Sequence, residues 1–65
     1  MEENEKLLFI PKDPQILCSF INTKLRDEYR SLDELCKSLG IDQNELVRKL
    51  KKIEYEYNPK ENKFI

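Results

Sequence analysis

The chain has 65 residues, 38% of them charged and 38% hydrophobic, with 12 Lys and Arg set against 13 Asp and Glu for a formal net charge of −1. It has no His, one Gly and two Cys. That excludes a Ser-His-Asp triad, a Cys-His pair, a closed Cys/His zinc site and a glycine-rich phosphate loop. An enzyme is not expected, nor a bound metal or cofactor. The balanced charge and the bulky apolar residues are unlike a disordered chain, which combines low hydrophobicity with high net charge. No apolar run approaches the roughly 20 residues of a membrane span. The start, Met1-Glu2-Glu3-Asn4-Glu5-Lys6, is acidic, whereas a signal peptide opens with a basic region and an apolar stretch. A cytoplasmic location follows as the expectation, with no membrane partner and with Cys18 and Cys36 as reduced thiols.

Residues 1–6 read as a disordered acidic tail. Residues 7–65 then read as a single domain. Leu7-Leu8-Phe9-Ile10 is a short apolar run before Pro11, either a brief strand or an extended segment packed on the core. Asp13-Pro14 is a helix start: Asp accepts bonds from unpaired amides, and Pro at the first helical position loses no needed donor. Leu17, Ile21 and Leu25 recur every four residues with Phe20 beside them, which predicts a first helix over 14–29.

Ser31-Leu32-Asp33-Glu34 is a capping box. Leu32, Leu35, Cys36 and Leu39 then keep helical spacing, and Gly40 sits where a left-handed residue closes a helix. These signals predict a second helix over 32–39. A second capping box, Asp42-Gln43-Asn44-Glu45, opens a third helix over 43–52 with Leu46 and Leu50 on one face. From Ile53 the period falls to two. Ile53, Tyr55 and Tyr57 alternate with Glu54 and Glu56, a strand signal. Asn58-Pro59-Lys60-Glu61-Asn62 is turn chemistry, and Lys63-Phe64-Ile65 is the return strand.

The expected fold is therefore mainly α: a three-helix helix-turn-helix core with a small C-terminal β-hairpin, in the manner of a winged helix. Leu7–Ile10 is available as a third, N-terminal strand. A compact helical bundle whose tail wraps the core without regular strands is the alternative. Periodicity assigns the core to Leu17, Phe20, Ile21, Leu25, Leu32, Leu35, Leu39, Leu46, Leu50 and Ile53. Cys18 and Cys36 join it as small apolar residues, because no C-x-x-C pair or His marks a redox or metal role. Tyr55 and Tyr57 are expected to bury their rings with the hydroxyls at the rim.

Local charge is uneven although the sum is near zero. Residues 46–53 carry Arg48, Lys49, Lys51 and Lys52 and no acid. In a DNA-binding helix-turn-helix the start of the second helix reaches base edges. Gln43 and Asn44 are the residue types that read adenine, while Arg48, Lys51 and Lys52 suit phosphates or guanine. Lys60 and Lys63 at the hairpin would add contacts to the nucleic-acid backbone. The plain alternative is a solvated helix end, where cations oppose the macrodipole by roughly 0.3–1 kcal/mol each. The overall charge also lacks the basic excess of a dedicated DNA-binding domain. A continuous positive surface shared by helix and hairpin would favour DNA, unless Glu54, Glu56 and Glu61 interrupt it. Such an interruption would favour a protein partner, or self-association. For that reading the first helix offers Asn22, Arg26 and Arg30 on its outer side; the ordinary alternative there is surface ion pairing.

Several stretches together resemble a known family of small bacterial proteins. They are Ile10-Pro-Lys-Asp-Pro14, Ser19-Phe-Ile-Asn-Thr-Lys-Leu-Arg-Asp27 and Tyr29-Arg-Ser-Leu-Asp-Glu-Leu-Cys36, followed by Lys49-Leu50, Ile53-Glu-Tyr-Glu-Tyr57 and Asn62-Lys-Phe64. The family is catalogued as domain of unknown function 4250, and the resemblance covers about residues 7–64. It implies one complete small domain. It assigns no catalytic or binding residue and does not choose between DNA and protein as partner.

Overall fold

A computed structural model of the protein describes residues 10–65. The expected acidic tail and Leu7-Leu8-Phe9 of the expected N-terminal strand lie outside the described residues. Ile10 is half-buried against the core and belongs to no strand.

Helix α1 spans Pro14–Asp27. The Asp13 carboxylate accepts the N–H groups of Gln15 (2.8 Å) and Ile16 (3.3 Å), and Pro14 occupies the first helical position. A cap of this kind contributes about 1 kcal/mol. The helix stops two residues before the sequence predicts. The N–H groups of Glu28 and Tyr29 both turn back to the Lys24 carbonyl, at 2.8 and 3.1 Å, and Asn62 takes up the carbonyls of Leu25 and Tyr29.

Helix α2 covers Leu32–Leu39 and α3 covers Gln43–Lys51. Ser31 caps the first through the Glu34 N–H at 3.2 Å, and Asp42 caps the second through the Glu45 N–H at 3.1 Å. The Glu34 carboxylate reaches the N–H of Arg30, at 3.4 Å, one residue before the cap. Gly40 closes α2 in the left-handed region with φ +69°. Only glycine takes that conformation without steric cost. The link between α2 and α3 is Gly40-Ile41-Asp42, as the sequence predicts.

The chain after α3 departs from the predicted strand. The Leu50 carbonyl accepts both the Ile53 N–H (3.2 Å) and the Tyr55 N–H (3.0 Å), and Glu54 adopts φ +67°. This tight turn consumes Ile53 and Glu54, so strand β1 is only Tyr57–Asn58 and pairs antiparallel with β2, Lys63–Phe64. Tyr57 stands opposite Phe64 and Asn58 opposite Lys63. A mutual backbone pair between Glu56 and Ile65 (3.0 and 2.9 Å) extends the ladder. In the connecting turn Asn58 Oδ1 accepts the N–H groups of Lys60 and Glu61. Three helices followed by this hairpin are the mainly helical order that the sequence implies.

The core consists of Leu17, Cys18, Ile21, Leu25, Leu32, Leu35, Cys36, Leu46, Leu50 and Phe64. Phe20, Leu39 and Ile53, predicted as core, are only partly buried and pack on its margin. Phe64 is the core residue that periodicity misses. Its ring is packed against Tyr57 with centroids 5.5 Å apart, and the residue is 2% exposed. Burying such a side chain stabilises by about 1.5–3 kcal/mol, so the hairpin is anchored through its last strand. Both cysteines are buried. Burial pushes both thiols up from their ordinary pKa, and the Asp33 and Asp42 carboxylates add to the effect at Cys36.

Candidate functional site

Helix α3 has two unlike faces because its buried residues Leu46 and Leu50 lie four residues apart. Leu46 and Leu50 are buried and Val47 is half-buried, whereas Gln43, Asn44, Glu45, Arg48, Lys51 and Lys52 are exposed. Lys49 is half-buried beside the α2–α3 link. Asn44, Arg48 and Lys52 follow one another every four residues, so one helix face collects an amide and two cations. The outward position expected for these residues from spacing is the one that they occupy.

The positive surface does not run unbroken to the hairpin. Lys51 lies 3.7 Å from Glu56, across the turn after α3, and Lys63 lies 3.5 Å from Glu61. All four side chains are more than half exposed, so these pairs are worth only about 0–1 kcal/mol. They nonetheless place a carboxylate beside each cation. Among the described residues no carboxylate comes within ion-pair distance of Arg48, Lys52 or Lys60. Lys60 is exposed in the hairpin turn.

The outer side of α1 differs from its sequence reading at two residues: Arg30 lies three positions past the helix end, and Asn22 is half-buried. Arg26 and Arg30 are exposed, and Arg26 holds Asp27 with two bonds of 2.9 and 3.2 Å. The hydrogen bond from Arg26, aided by its charge, holds the Asp27 carboxyl below the usual range. Asn22 does not share this exposed surface. It is half-buried, its Oδ1 accepts the Phe64 N–H at 2.7 Å, and its Nδ2 donates to the Phe64 carbonyl at 3.1 Å. Its amide is spent on holding β2.

Asn62 is a further polar residue of this region, and the sequence shows it only as turn chemistry. It adopts φ +55° and donates to the carbonyls of Leu25 (3.2 Å) and Tyr29 (2.9 Å). Its Oδ1 accepts the Tyr57 hydroxyl at 2.6 Å, and that hydroxyl accepts the Leu32 N–H at 3.3 Å. The Tyr57 hydroxyl is thus enclosed in a relay instead of standing at the rim. These bonds join the hairpin, the end of α1 and the start of α2. No grouping of three or more Cys, Asp and Glu among the described residues is arranged to hold a metal ion. No described helix is long and apolar enough to cross a membrane.

These features define a small three-helix protein closed by a C-terminal hairpin, with a polar, cation-bearing face on its third helix. The chain belongs to the family described as Domain of unknown function (DUF4250), whose model matches residues 11–64. The sequence resemblance is therefore borne out across nearly the whole chain. No curated protein and no solved structure matches it.

Proposed function

We propose that the protein is a helix-turn-helix-like binding module that presents the outward face of α3 to nucleic acid. The observation that carries this reading is the common exposure of Gln43, Asn44, Arg48 and Lys52 on a helix that follows a three-residue, glycine-containing link. Gln43 and Asn44 are suited to base edges at the helix start, and Arg48 and Lys52 to phosphates. The pairing of Lys51 with Glu56 and of Lys63 with Glu61 weakens one expected contact on α3 and one on the hairpin. The phosphate contacts then shrink to about three, drawn from Arg48, Lys52 and Lys60. The logarithm of the binding constant should accordingly fall with the logarithm of salt at a slope of about −3.

The test is a titration of mixed-sequence duplex DNA at several salt concentrations. Binding at low salt that is lost in R48E/K52E supports the reading. No binding at low salt, or binding that the double substitution leaves unchanged, overturns it.

A second reading, a module for a protein partner or for self-association in the cytoplasm, is favoured by the same two acid–base pairs. They balance the charge between α3 and the hairpin, and a mixed surface suits protein better than phosphate. Failure of the DNA titration together with concentration-dependent sedimentation would select self-association. A strict monomer that binds no DNA and recovers no specific protein in a pull-down would count against both.

A further inference from the structure

A groove of about 290 Å³ lies at the α2–α3 link and the start of α3. Its lining combines the apolar Ile10, Ile41 and Leu46 with Asp42, Glu45 and Lys49. The spacing of Asp42, Glu45, Leu46 and Lys49 puts these four on one side of the helix. Ile10 brings the chain to this groove, and nine residues precede it: Leu7-Leu8-Phe9 directly, and Glu2, Glu3 and Glu5 further back. We propose that the groove is the docking site of that N-terminal segment, with Leu7-Leu8-Phe9 against Ile41 and Leu46 and the acidic residues beyond, at the Lys49 end.

Length, size and tethering agree on this occupant. Three extended residues span about 10 Å, which is the advance along a helix from Asp42 to Lys49, also about 10 Å. The groove is smaller than the usual small-molecule site of about 300–1,000 Å³, so it suits side chains better than a whole ligand. Ile10 and Ile41 are half-buried and still offer apolar surface. A segment joined to the rim of its own site has an effective concentration in the millimolar range, which a free partner must exceed to displace it.

Charge selects the direction. Lys49 is half-buried, and although Glu45 precedes it by four residues, no carboxylate of the described residues lies within ion-pair distance of it. The same holds for the exposed Lys52. Residues 2–6 carry three Glu and one Lys. A segment that runs from Ile10 toward Lys49 brings these acids to two cations; the reverse direction would set them against Asp42 and Glu45. If α3 serves nucleic acid as proposed above, the same acids compete with phosphate for Lys52, and this consequence rests on that reading.

Nuclear Overhauser contacts in the full chain test the docking. The side chains of Leu7, Leu8 and Phe9 should contact the methyl groups of Ile41 and Leu46. L7S/L8S should remove these contacts and move the amides of Ile41, Glu45 and Lys49 but not those of Lys37 and Lys63. E2Q/E3Q/E5Q should move the amides of Lys49 and Lys52. Absence of the contacts in the parent chain would overturn the proposal, whether or not L7S/L8S folds. So would contacts from residues 7–9 to Tyr57 instead. Contacts seen only between chains, in a mixture of labelled and unlabelled protein, would overturn it in favour of a second copy. For the competition, E2Q/E3Q/E5Q should bind duplex DNA about tenfold more tightly than the parent at low salt. Equal affinity would overturn the competition alone. No DNA binding by either chain would overturn the competition and the nucleic-acid reading together, while the contacts still decide the docking.

Discussion

The side-chain amide of Asn22 pairs with the backbone of Phe64 as a neighbouring strand would, accepting its N–H at 2.7 Å and donating to its carbonyl at 3.1 Å. Phe64 stands opposite Tyr57 in the hairpin ladder, while its own backbone groups turn to α1. A helix side chain thus completes the hydrogen bonding of a two-residue strand that pairs with one other strand among the described residues. The same residue carries the buried ring that anchors the hairpin. Asn22 is thereby tied to the attachment of the whole C-terminal segment.

Replacing Asn22 by Ala leaves both Phe64 backbone groups without a partner in a half-buried place. A loss of about 1–3 kcal/mol follows for the unfolding free energy. Urea denaturation read by far-ultraviolet dichroism measures it. A variant as stable as the parent would show that water replaces the amide at no cost.

Asn62 combines a left-handed backbone with three side-chain bonds. Asn62→Gly keeps the conformation and loses the bonds, whereas Asn62→Ala loses both. The glycine variant should be destabilised by about 1–3 kcal/mol and the alanine variant by about a further 1 kcal/mol. The order of their urea midpoints is the decisive reading; Ala above Gly would contradict the backbone argument.

Gly40→Ala separates backbone strain from packing. At φ +69° no heavy atom lies within 4 Å of the added methyl group, so the expected cost of about 1–2 kcal/mol is conformational alone. Thermal unfolding would register it. Gly40→Asn should recover part of the loss, because Asn tolerates the left-handed region better than Ala.

Cys18 and Cys36 are buried with their thiols pushed above the ordinary value of 9.0, chiefly by desolvation. A disulfide-exchange reagent near pH 8 should therefore label neither thiol until the protein unfolds. The raised values also set a direction for stability. In the unfolded chain each thiol ionises near its ordinary value, while the folded chain retains the proton. The folded state should thus lose stability as pH rises from about 9 through the raised folded values. Alkaline urea titrations of the parent and of C18A/C36A distinguish this loss from that of other groups: the double variant should show a shallower decline.

Local signals in the sequence determine the helices. Asp13-Pro14, Ser31 with Glu34, Asp42 with Glu45, and Gly40 each act within a few residues, so their bonds form wherever the chain goes. The four-residue spacing of Leu17, Ile21 and Leu25, and of Leu46 and Leu50, marks the buried faces for the same reason. It also leaves Asn44, Arg48 and Lys52 outside, which makes the α3 face readable from the sequence. Tertiary structure alone decides the rest. The pairing of Asn22 with Phe64, 42 residues apart, and the reach of Asn62 to Leu25 and Tyr29, 37 and 33 residues apart, have no local signature. An amide side chain bonds whatever backbone is brought to it. The same holds for charge: twelve bases against thirteen acids fix the sum, but only the fold carries Glu56 to Lys51 and so interrupts the basic face.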